Sequence, residues 1–249
     1  MTFLLLQARN PGDAALEHEQ SAFRESLGVD AEALRSWDLL QGPPPFDVVQ
    51  ESDCVLVGGA GEYGMPDAKD HPWLMQFIDF CGRLAAEGIP TLASCFGFQA
   101  LVVAAGGQVT TDTSRAEIGT FQVTLTEAGR SDPLFGPLAP GFFAQFGHKD
   151  HALGVPSGMV NLACSERCSF QALVVAGKPI YATQFHPELS MAGNRERFFR
   201  YMESYARPEM SDTPKQVLAS FRETPQASSL MRRFVEEILT APERKEQAS

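Results

Sequence analysis

The sequence has little positive charge: 20 Lys and Arg stand against 31 Asp and Glu, a formal net charge of −11. No basic stripe interrupts this acidic excess, so a nucleic-acid partner is not expected. No apolar run approaches the roughly 20 residues that a membrane-spanning helix needs. Residues 1–7 also lack the basic start of a secretory signal. We therefore expect a cytoplasmic protein with no membrane partner.

Cysteines are few and scattered, and tryptophan occurs only twice. An odd number of widely spaced cysteines does not predict a disulfide framework, and no soft ligands accompany them at metal-site spacing. We expect free thiols in a reducing compartment, with no metal and no cofactor. The five are Cys54, Cys81, Cys95, Cys164 and Cys168.

The apolar pattern of the first hundred residues predicts an α/β fold. Continuous apolar runs at 3–8, 53–57 and 89–93 are typical of strands buried on both faces. A further strand is predicted at 34–40. Helical periodicity at 13–27 and 73–86 ends in each case at a glycine, Gly28 or Gly88. This alternation predicts a mostly parallel central sheet with helices on both faces.

After Gly106 the pattern changes to short, partly alternating strands. They read as antiparallel additions to the sheet, at 107–111, 119–126, 142–146 and 160–164. A hairpin across Gly177-Lys178 joins predicted strands at 171–176 and 179–185, and a helix is predicted over 193–205.

The last part of the chain, from Arg207, is punctuated by prolines. Pro208, Pro214, Pro225 and Pro242 bracket two predicted amphipathic helices, at 214–222 and 228–239. We therefore predict one domain over 1–205 and a short helical C-terminal extension over 206–249. An apolar stripe in the second helix either packs back onto the domain or forms a homodimer contact; it comprises Leu230, Phe234, Ile238 and Leu239.

The strand predicted at 89–93 runs into a sharp turn with a thiol at its corner, Ser94-Cys95-Phe96-Gly97, followed by a helix from about Gln99. Such a turn exposes its corner residue at the carboxyl end of a sheet, as in a nucleophile elbow. The helix N-terminus is expected to lower the pKa of the Cys95 thiol. Taken alone, the pattern equally fits a small buried cysteine.

A cysteine nucleophile needs a base, and the base needs an orienting group. His186-Pro187-Glu188 follows an apolar strand, and residues two apart in an extended segment lie on the same side. His186 and Glu188 can therefore face one cleft. Taken alone, this motif also fits an exposed turn.

Three motifs occur in a characteristic order: Gly58-Gly59-Ala60-Gly61, then Cys-Phe-Gly-Phe-Gln at 95–99, then Gln-Phe-His-Pro-Glu at 184–188. Together they resemble the class I (triad-type) glutamine amidotransferases, over about residues 3–205. The resemblance implies a flavodoxin-like fold with Cys95 as nucleophile, His186 as general acid and base, and Glu188 as its orienter. It also implies an oxyanion hole from the N–H groups of Gly59 and Phe96, and a glutamine pocket lined by Gln99.

Three positions depart from the family pattern. Ser94 replaces a glycine and adds a Cβ where the turn is expected to be tightest. Phe98 stands where most members have histidine, and Ala60 replaces the proline of the oxyanion loop. All three triad positions are retained, which favours retained chemistry.

Between the elbow and the triad histidine, further motifs are similar to a stand-alone branch related to the GMP synthase amidotransferase domain, which includes γ-glutamyl peptidases. These motifs are Glu-Ile-Gly at 117–119, His-Lys-Asp at 148–150 and Ser-Glu-Arg-Cys at 165–168. His148 and Asp150 either edge the pocket or lie in a surface turn.

Three functions follow from the resemblance. Only 44 residues (249 − 205) follow the predicted domain, which favours a stand-alone hydrolase of glutamine or a γ-glutamyl compound. The chain could instead be a glutaminase subunit that supplies ammonia to a separate synthetase, or a catalytically idle binding or regulatory module. A related protease and chaperone group is disfavoured, because its histidine directly follows the cysteine, where this chain has Phe96.

Overall fold

The computed structural model describes residues 1–202 and 210–240. Within these ranges the strands are β1 (Phe3–Ala8), β2 (Leu34–Asp38), β3 (Cys54–Ala60), β4 (Thr91–Ser94), β5 (Val109–Thr111), β6 (Glu117–Leu125), β7 (Gly141–His148), β8 (Asp150–Ala152), β9 (Met159–Cys164), β10 (Ala172–Val175) and β11 (Ile180–Thr183). Nine of them form one sheet in the order β2-β1-β3-β4-β11-β10-β9-β6-β7.

The central sheet has a parallel half and an antiparallel half. Strands β2, β1, β3, β4 and β11 run parallel, and β10, β9, β6 and β7 extend the sheet by antiparallel pairing. The predicted α/β class and the antiparallel additions are confirmed, with one exception. The strand predicted at 107–111 pairs as β5 with β8 in a separate two-stranded sheet. Val109 and Thr110 of this strand are half-buried and Thr111 is exposed. Val109 packs against the apolar core although the strand does not join the main sheet.

The helices are α1 (Ala15–Leu27), α2 (Phe46–Gln50), α3 (Pro72–Glu87), α4 (Phe96–Ala104), α5 (Glu127–Ser131), α6 (Met191–Arg200), α7 (Pro214–Ser220) and α8 (Pro225–Arg233), with a π-helical turn at Phe234–Leu239. Gly28 and Gly88 end α1 and α3 in left-handed conformations, as predicted. The short α2 was not predicted, and α4 begins at Phe96 instead of Gln99.

The core consists of two apolar layers, one on each face of the sheet. Alternation along β1 shows why: Leu4 and Leu6 join the layer under α3 and α4, whereas Phe3 and Leu5 join the opposite layer. A strand covered on both faces has no polar side, which accounts for the continuous apolar run.

The C-terminal segment 210–240 packs onto the domain in two places. Val217 joins a small cluster with Ile118 and Phe198, and residues from α8 onward fill the second layer. Leu230 and Phe234 are fully buried there, and Ile238 and Leu239 pack against them. The stripe therefore packs back onto the domain, as one of its two interpretations predicted. The predicted domain boundary at 205/206, the predicted helix end at 205, Pro208 and Pro242 lie outside the described residues. Among the helices that the structure does describe, none is long and apolar enough to cross a membrane.

Candidate active site

The elbow is the most strained backbone position among the described residues. Cys95 has φ +47° and ψ −93° and is the only non-glycine residue there with positive φ. It joins β4 to α4, and its N–H donates to the carbonyl of Thr183 on β11 at 2.7 Å. Such a conformation costs about 1–3 kcal/mol and persists only where the surroundings enforce it. Gly97 allows the close packing, because a Cβ there would lie 2.7 Å from Cβ of Val57.

Ser94 is not the strained residue that the sequence suggested. It is the last residue of β4 and is buried, and the unusual φ falls on Cys95. Its hydroxyl lies 3.2 Å from Oε1 of Glu188 and 3.4 Å from the carbonyl of Val57. The departure from glycine thus adds a polar contact to the predicted orienting group.

His186 and Glu188 lie beside the elbow because β4 and β11 are neighbours, with Ser94 paired to Thr183. Nδ1 of His186 is 2.7 Å from Oε1 of Glu188, and both side chains are buried. Strand alternation is not the cause, since β11 ends at Thr183. The chain then leaves the strand, and the N–H of His186 donates to the carbonyl of Gln145 at 2.8 Å.

Burial favours the neutral form of the Cys95 thiol. Burial raises its pKa to about 12; the nearby charge of Arg197 opposes this shift, and Glu188 adds to it. The pKa lowering expected from the helix N-terminus is therefore outweighed by desolvation. Burial also lowers the pKa of His186, despite the adjacent Glu188 carboxylate. Burial thus favours the neutral form of both groups.

The two predicted oxyanion donors differ in availability. Phe96 is the first residue of α4, where an N–H has no acceptor within the helix; its ring stacks on Phe77 with centroids 5.6 Å apart. The N–H of Gly59 instead donates to Oε1 of Glu19 at 3.0 Å. Gly59 can therefore donate to an oxyanion only after this bond breaks.

Gln99 and Gln184 form a buried amide chain that ends at the thiol. Nε2 of Gln99 donates to Oε1 of Gln184 at 3.3 Å and to the carbonyl of Asp150 at 3.1 Å. Nε2 of Gln184 in turn lies 3.6 Å from Sγ of Cys95. Gln99 also lines the cavity described next. Gln184 was part of the histidine motif but had no predicted role.

A cavity of about 490 Å³ opens on the elbow. His148 and Asp150 are buried and line it, so they edge the pocket instead of forming a surface turn. Its lining combines the loop after β3, the elbow, the segments around β5, β7 and β8, the end of α6 and the start of the C-terminal segment. The lining residues are Ala60, Gly61, Glu62, Tyr63, Gly64, Asp67, Cys95, Phe96, Gln99, Thr111, Thr113, Gly147, His148, Lys149, Asp150, Tyr201 and Met210.

Buried charges around the site were not predicted. Arg9 and Glu19 form an ion pair at 2.9 Å, and Arg197 lies beside His186. The burial of Glu19 could have been predicted, because Glu19 lies between Ala15 and Phe23 on the buried face of α1. Arg197 had none, since the helical pattern alone does not show which partner that face meets.

Glu117, His148 and Cys168 form a buried group whose ligand atoms lie within 4.8 Å of one another, as a metal site would require. The sequence suggested that Cys168 has no other possible metal ligand nearby, and this prediction is wrong. Hydrogen bonds already account for the group: Oε2 of Glu117 is 3.1 Å from Nε2 of His148 and accepts from Gln171 at 2.5 Å. These hydrogen bonds explain why polar groups are buried there, although Oε1 of Gln171 has no partner among the described residues.

Comparisons with known proteins agree with this architecture. The family model "Glutamine amidotransferase class-I" matches residues 43–202. One subunit of the glutamine-hydrolysing GMP synthase of Natronomonas pharaonis is 30% identical over 185 residues, 74% of this chain and 86% of that protein. The corresponding subunit of the enzyme from Sulfurisphaera tokodaii is 30% identical over 151 residues, 61% of this chain and 75% of that protein.

Solved structures show the same fold. A glutamine amidotransferase from Thermotoga maritima aligns with a TM-score of 0.76 at 19% identity, covering 97% of this chain and 99% of that one. One from Methylobacillus flagellatus aligns with a TM-score of 0.71 at 18% identity, covering 98% of both chains. With a family model that spans most of the described core and relatives covered over three quarters of their length or more, this chain belongs to the class I glutamine amidotransferases.

Proposed function

We propose that this chain hydrolyses the side-chain amide of glutamine, or of a related γ-glutamyl compound, through a thioester on Cys95. One observation carries the proposal: strained Cys95 follows β4, and a buried His186–Glu188 pair follows the neighbouring strand β11. A thiol, an imidazole and a carboxylate in this order are the parts of a nucleophile, its base and the group that orients the base.

The chemistry follows from the resting protonation state. As Sγ of Cys95 attacks the γ-carbonyl carbon, its proton moves to His186, which is neutral and able to accept it. The C–N bond then breaks, and the imidazolium gives its proton to the departing ammonia or amine. Water attacks the thioester while His186 takes its proton, releasing glutamate and restoring the thiol. Glu188 stabilises the imidazolium through Nδ1 in both halves.

The N–H of Phe96 is the proposed oxyanion donor in this conformation. Gly59 becomes the second donor once its N–H leaves Glu19, and substrate binding at the neighbouring Ala60 and Gly61 is the proposed trigger. One such donor typically contributes about 2.7–4 kcal/mol to the transition state. The loop after β3 therefore contributes to catalysis in addition to the triad.

The proposed substrates include γ-glutamyl amides with leaving groups larger than ammonia. The cavity has a volume of about 490 Å³. Pockets that hold drug-sized ligands measure about 300–1,000 Å³. Glutamine is smaller than such a ligand, so the cavity has room for a larger leaving group. Ala60 in the oxyanion loop and Phe98 at the elbow also depart from the biosynthetic pattern.

The test is kcat/KM of the purified chain for a γ-glutamyl dipeptide and for glutamine. We expect the two values to lie within ~100-fold of each other, with Cys95→Ala inactive on both. A preference for glutamine beyond ~100-fold, or about 2.7 kcal/mol in transition-state binding, rejects the larger leaving group.

A second candidate is a glutaminase subunit that works with a separate synthetase chain. The relatives favour it, because each is one subunit of a glutamine-hydrolysing GMP synthase. Glutaminase activity that appears only when a separate synthetase chain is added would support this role over the stand-alone hydrolase.

Thiol reactivity provides an independent check of the nucleophile. We expect a glutamine-like electrophile to label Cys95 first, because binding places it at the elbow beside His186. Iodoacetamide should instead react first with Cys164, the one free cysteine among the described residues that is not buried. Peptide mapping after brief labelling distinguishes the two patterns, with the Cys164→Ser chain as control. First labelling of Cys54, Cys81 or Cys168 by the glutamine analogue would contradict the assignment.

A further inference from the structure

The guanidinium of Arg197, on α6, lies over the imidazole of His186. Its Nη1 is 3.5 Å from Nδ1 and 3.4 Å from Nε2 of the ring. Approach to both nitrogens in the ring plane would overlap Cε1, so Nη1 lies above the face of the ring. Nδ1 already has a shorter contact with Glu188, at 2.7 Å. The contact is therefore charge over ring and not a pair of hydrogen bonds.

Arg197 is a buried cation that forms no ion pair with any of the described residues, although Glu19 lies near enough for the two charges to interact. Its side chain is almost inaccessible, and Nε has no hydrogen-bond partner. Within residues 1–202 and 210–240, no carboxylate lies within the 4.0 Å of an ion pair with it, whereas Arg9 nearby pairs with Glu19 at 2.9 Å. Buried charges are normally paired. Exceptions to such rules are expected mainly at functional sites.

The guanidinium of Arg197 also lies against the oxyanion loop. A Cβ added to Gly59 would lie 2.7 Å from Nη2 of Arg197 and 3.0 Å from Cε1 of His186. Gly59 thus provides the space in which arginine and histidine meet. The guanidinium, the ring and the backbone of the loop therefore lie close together.

We propose that Arg197 is a positioning residue whose charge holds the His186 imidazole in its neutral, proton-accepting form until substrate is bound. The proposal rests on the proposed function, because it takes His186 as the base. Three charged groups act on the ring: Glu188 from its own segment, Arg197 from α6 and Glu19 from α1. The titratable Cys95 follows β4, the strand next to β11.

The sign of the effect follows from these groups. A positive charge over the ring disfavours the imidazolium, whereas the carboxylates of Glu188 and Glu19 favour it. Burial lowers the pKa of His186, and Arg197 lowers it further. The same guanidinium favours the Cys95 thiolate. Arg197 therefore keeps His186 neutral, and able to accept a proton from Cys95, down to a lower pH.

The test is the pH profile of kcat/KM for glutamine in the full chain. Arg197→Met removes the charge, so the acid limb should move to higher pH by roughly one unit. Arg197→Lys keeps the charge and should leave the limb near its original position. If Arg197→Met does not fold, as judged by circular dichroism, the neutral and more polar Arg197→Gln takes its place.

The inference is overturned if the acid limb of Arg197→Met stays where it is in the natural chain. It is also overturned if the limb of Arg197→Lys moves as far as that of Arg197→Met, because the charge of the side chain would then not matter. NMR titration of the His186 ring in the Cys95→Ala chain, with and without Arg197→Met, gives the same information without turnover. Failure of the proposed function is recognised separately, because His186→Ala would then retain activity.

Discussion

His186→Ala is expected to lower kcat for glutamine and γ-glutamyl amides by about 10⁴-fold or more. In the proposed mechanism the imidazole accepts the thiol proton, donates it to the leaving amine and activates water, so no step of that cycle survives its loss. Steady-state release of glutamate measures the effect, with His18→Ala as the control because that side chain is partly exposed on α1. Turnover at the normal rate in His186→Ala would remove the triad assignment.

Glu188→Ala is expected to retain weak activity in the same assay. The carboxylate only orients the ring and stabilises its charged form, while Cys95 and His186 remain. If Glu188→Ala and His186→Ala were equally inactive and both folded, Glu188 would have a larger role than orientation.

The second large effect concerns stability. Glu19→Leu should lower the free energy of unfolding by about 3–5 kcal/mol, because it leaves the buried guanidinium of Arg9 without its partner. Only 1% and 4% of the two side chains are exposed. Urea unfolding measures the loss, and Arg9→Met with Glu19→Leu should recover much of it, since breaking a buried pair costs more than replacing it.

A surface ion pair provides the matched control. Arg35 and Glu51 lie 2.8 Å apart with half or more of each side chain exposed, so Glu51→Ala should cost no more than about 1 kcal/mol. Equal losses from Glu19→Leu and Glu51→Ala would show that the buried pair contributes no more than the surface one.

The same pair predicts a pH dependence of stability. Burial alone would raise the pKa of Glu19, but the charge and hydrogen bonds of Arg9 and Gln7 outweigh it, and the pKa lies below the ordinary 4.5. The stabilisation is therefore fully present above about pH 4.5 and is lost as pH falls through the lower, folded-state pKa. Unfolding curves between pH 6 and 3 should show this loss in the natural chain and not in the double variant.

Local sequence sufficed for the parts of the site that one segment builds. Cys95 and Gly97 define the elbow within a few residues, and His186 and Glu188 are two residues apart. The apolar runs also predicted the parallel half of the sheet, because a strand covered on both faces leaves an unambiguous pattern.

Properties that arise from several segments could not be predicted in this way. The thiol pKa depends on how completely the fold buries Cys95, which no local pattern reports. The N–H of Gly59 donates to Glu19, which lies forty residues earlier in the chain. Arg197 contacts His186 from helix α6. Such contacts follow from packing between elements and not from the pattern of any one of them.

The adjacency of β4 and β11 has a consequence for the chain during its synthesis. Cys95 precedes His186 by 91 residues (186 − 95), which take about 5 to 18 s to synthesise at ~5–20 residues per second. Until β11 inserts beside β4, the thiol of Cys95 belongs to an open chain with an ordinary pKa of about 8.5 and is more readily ionised than in the finished fold. The nascent protein is thus more vulnerable to oxidants and electrophiles at this cysteine than the mature one, and completion of the sheet ends that exposure.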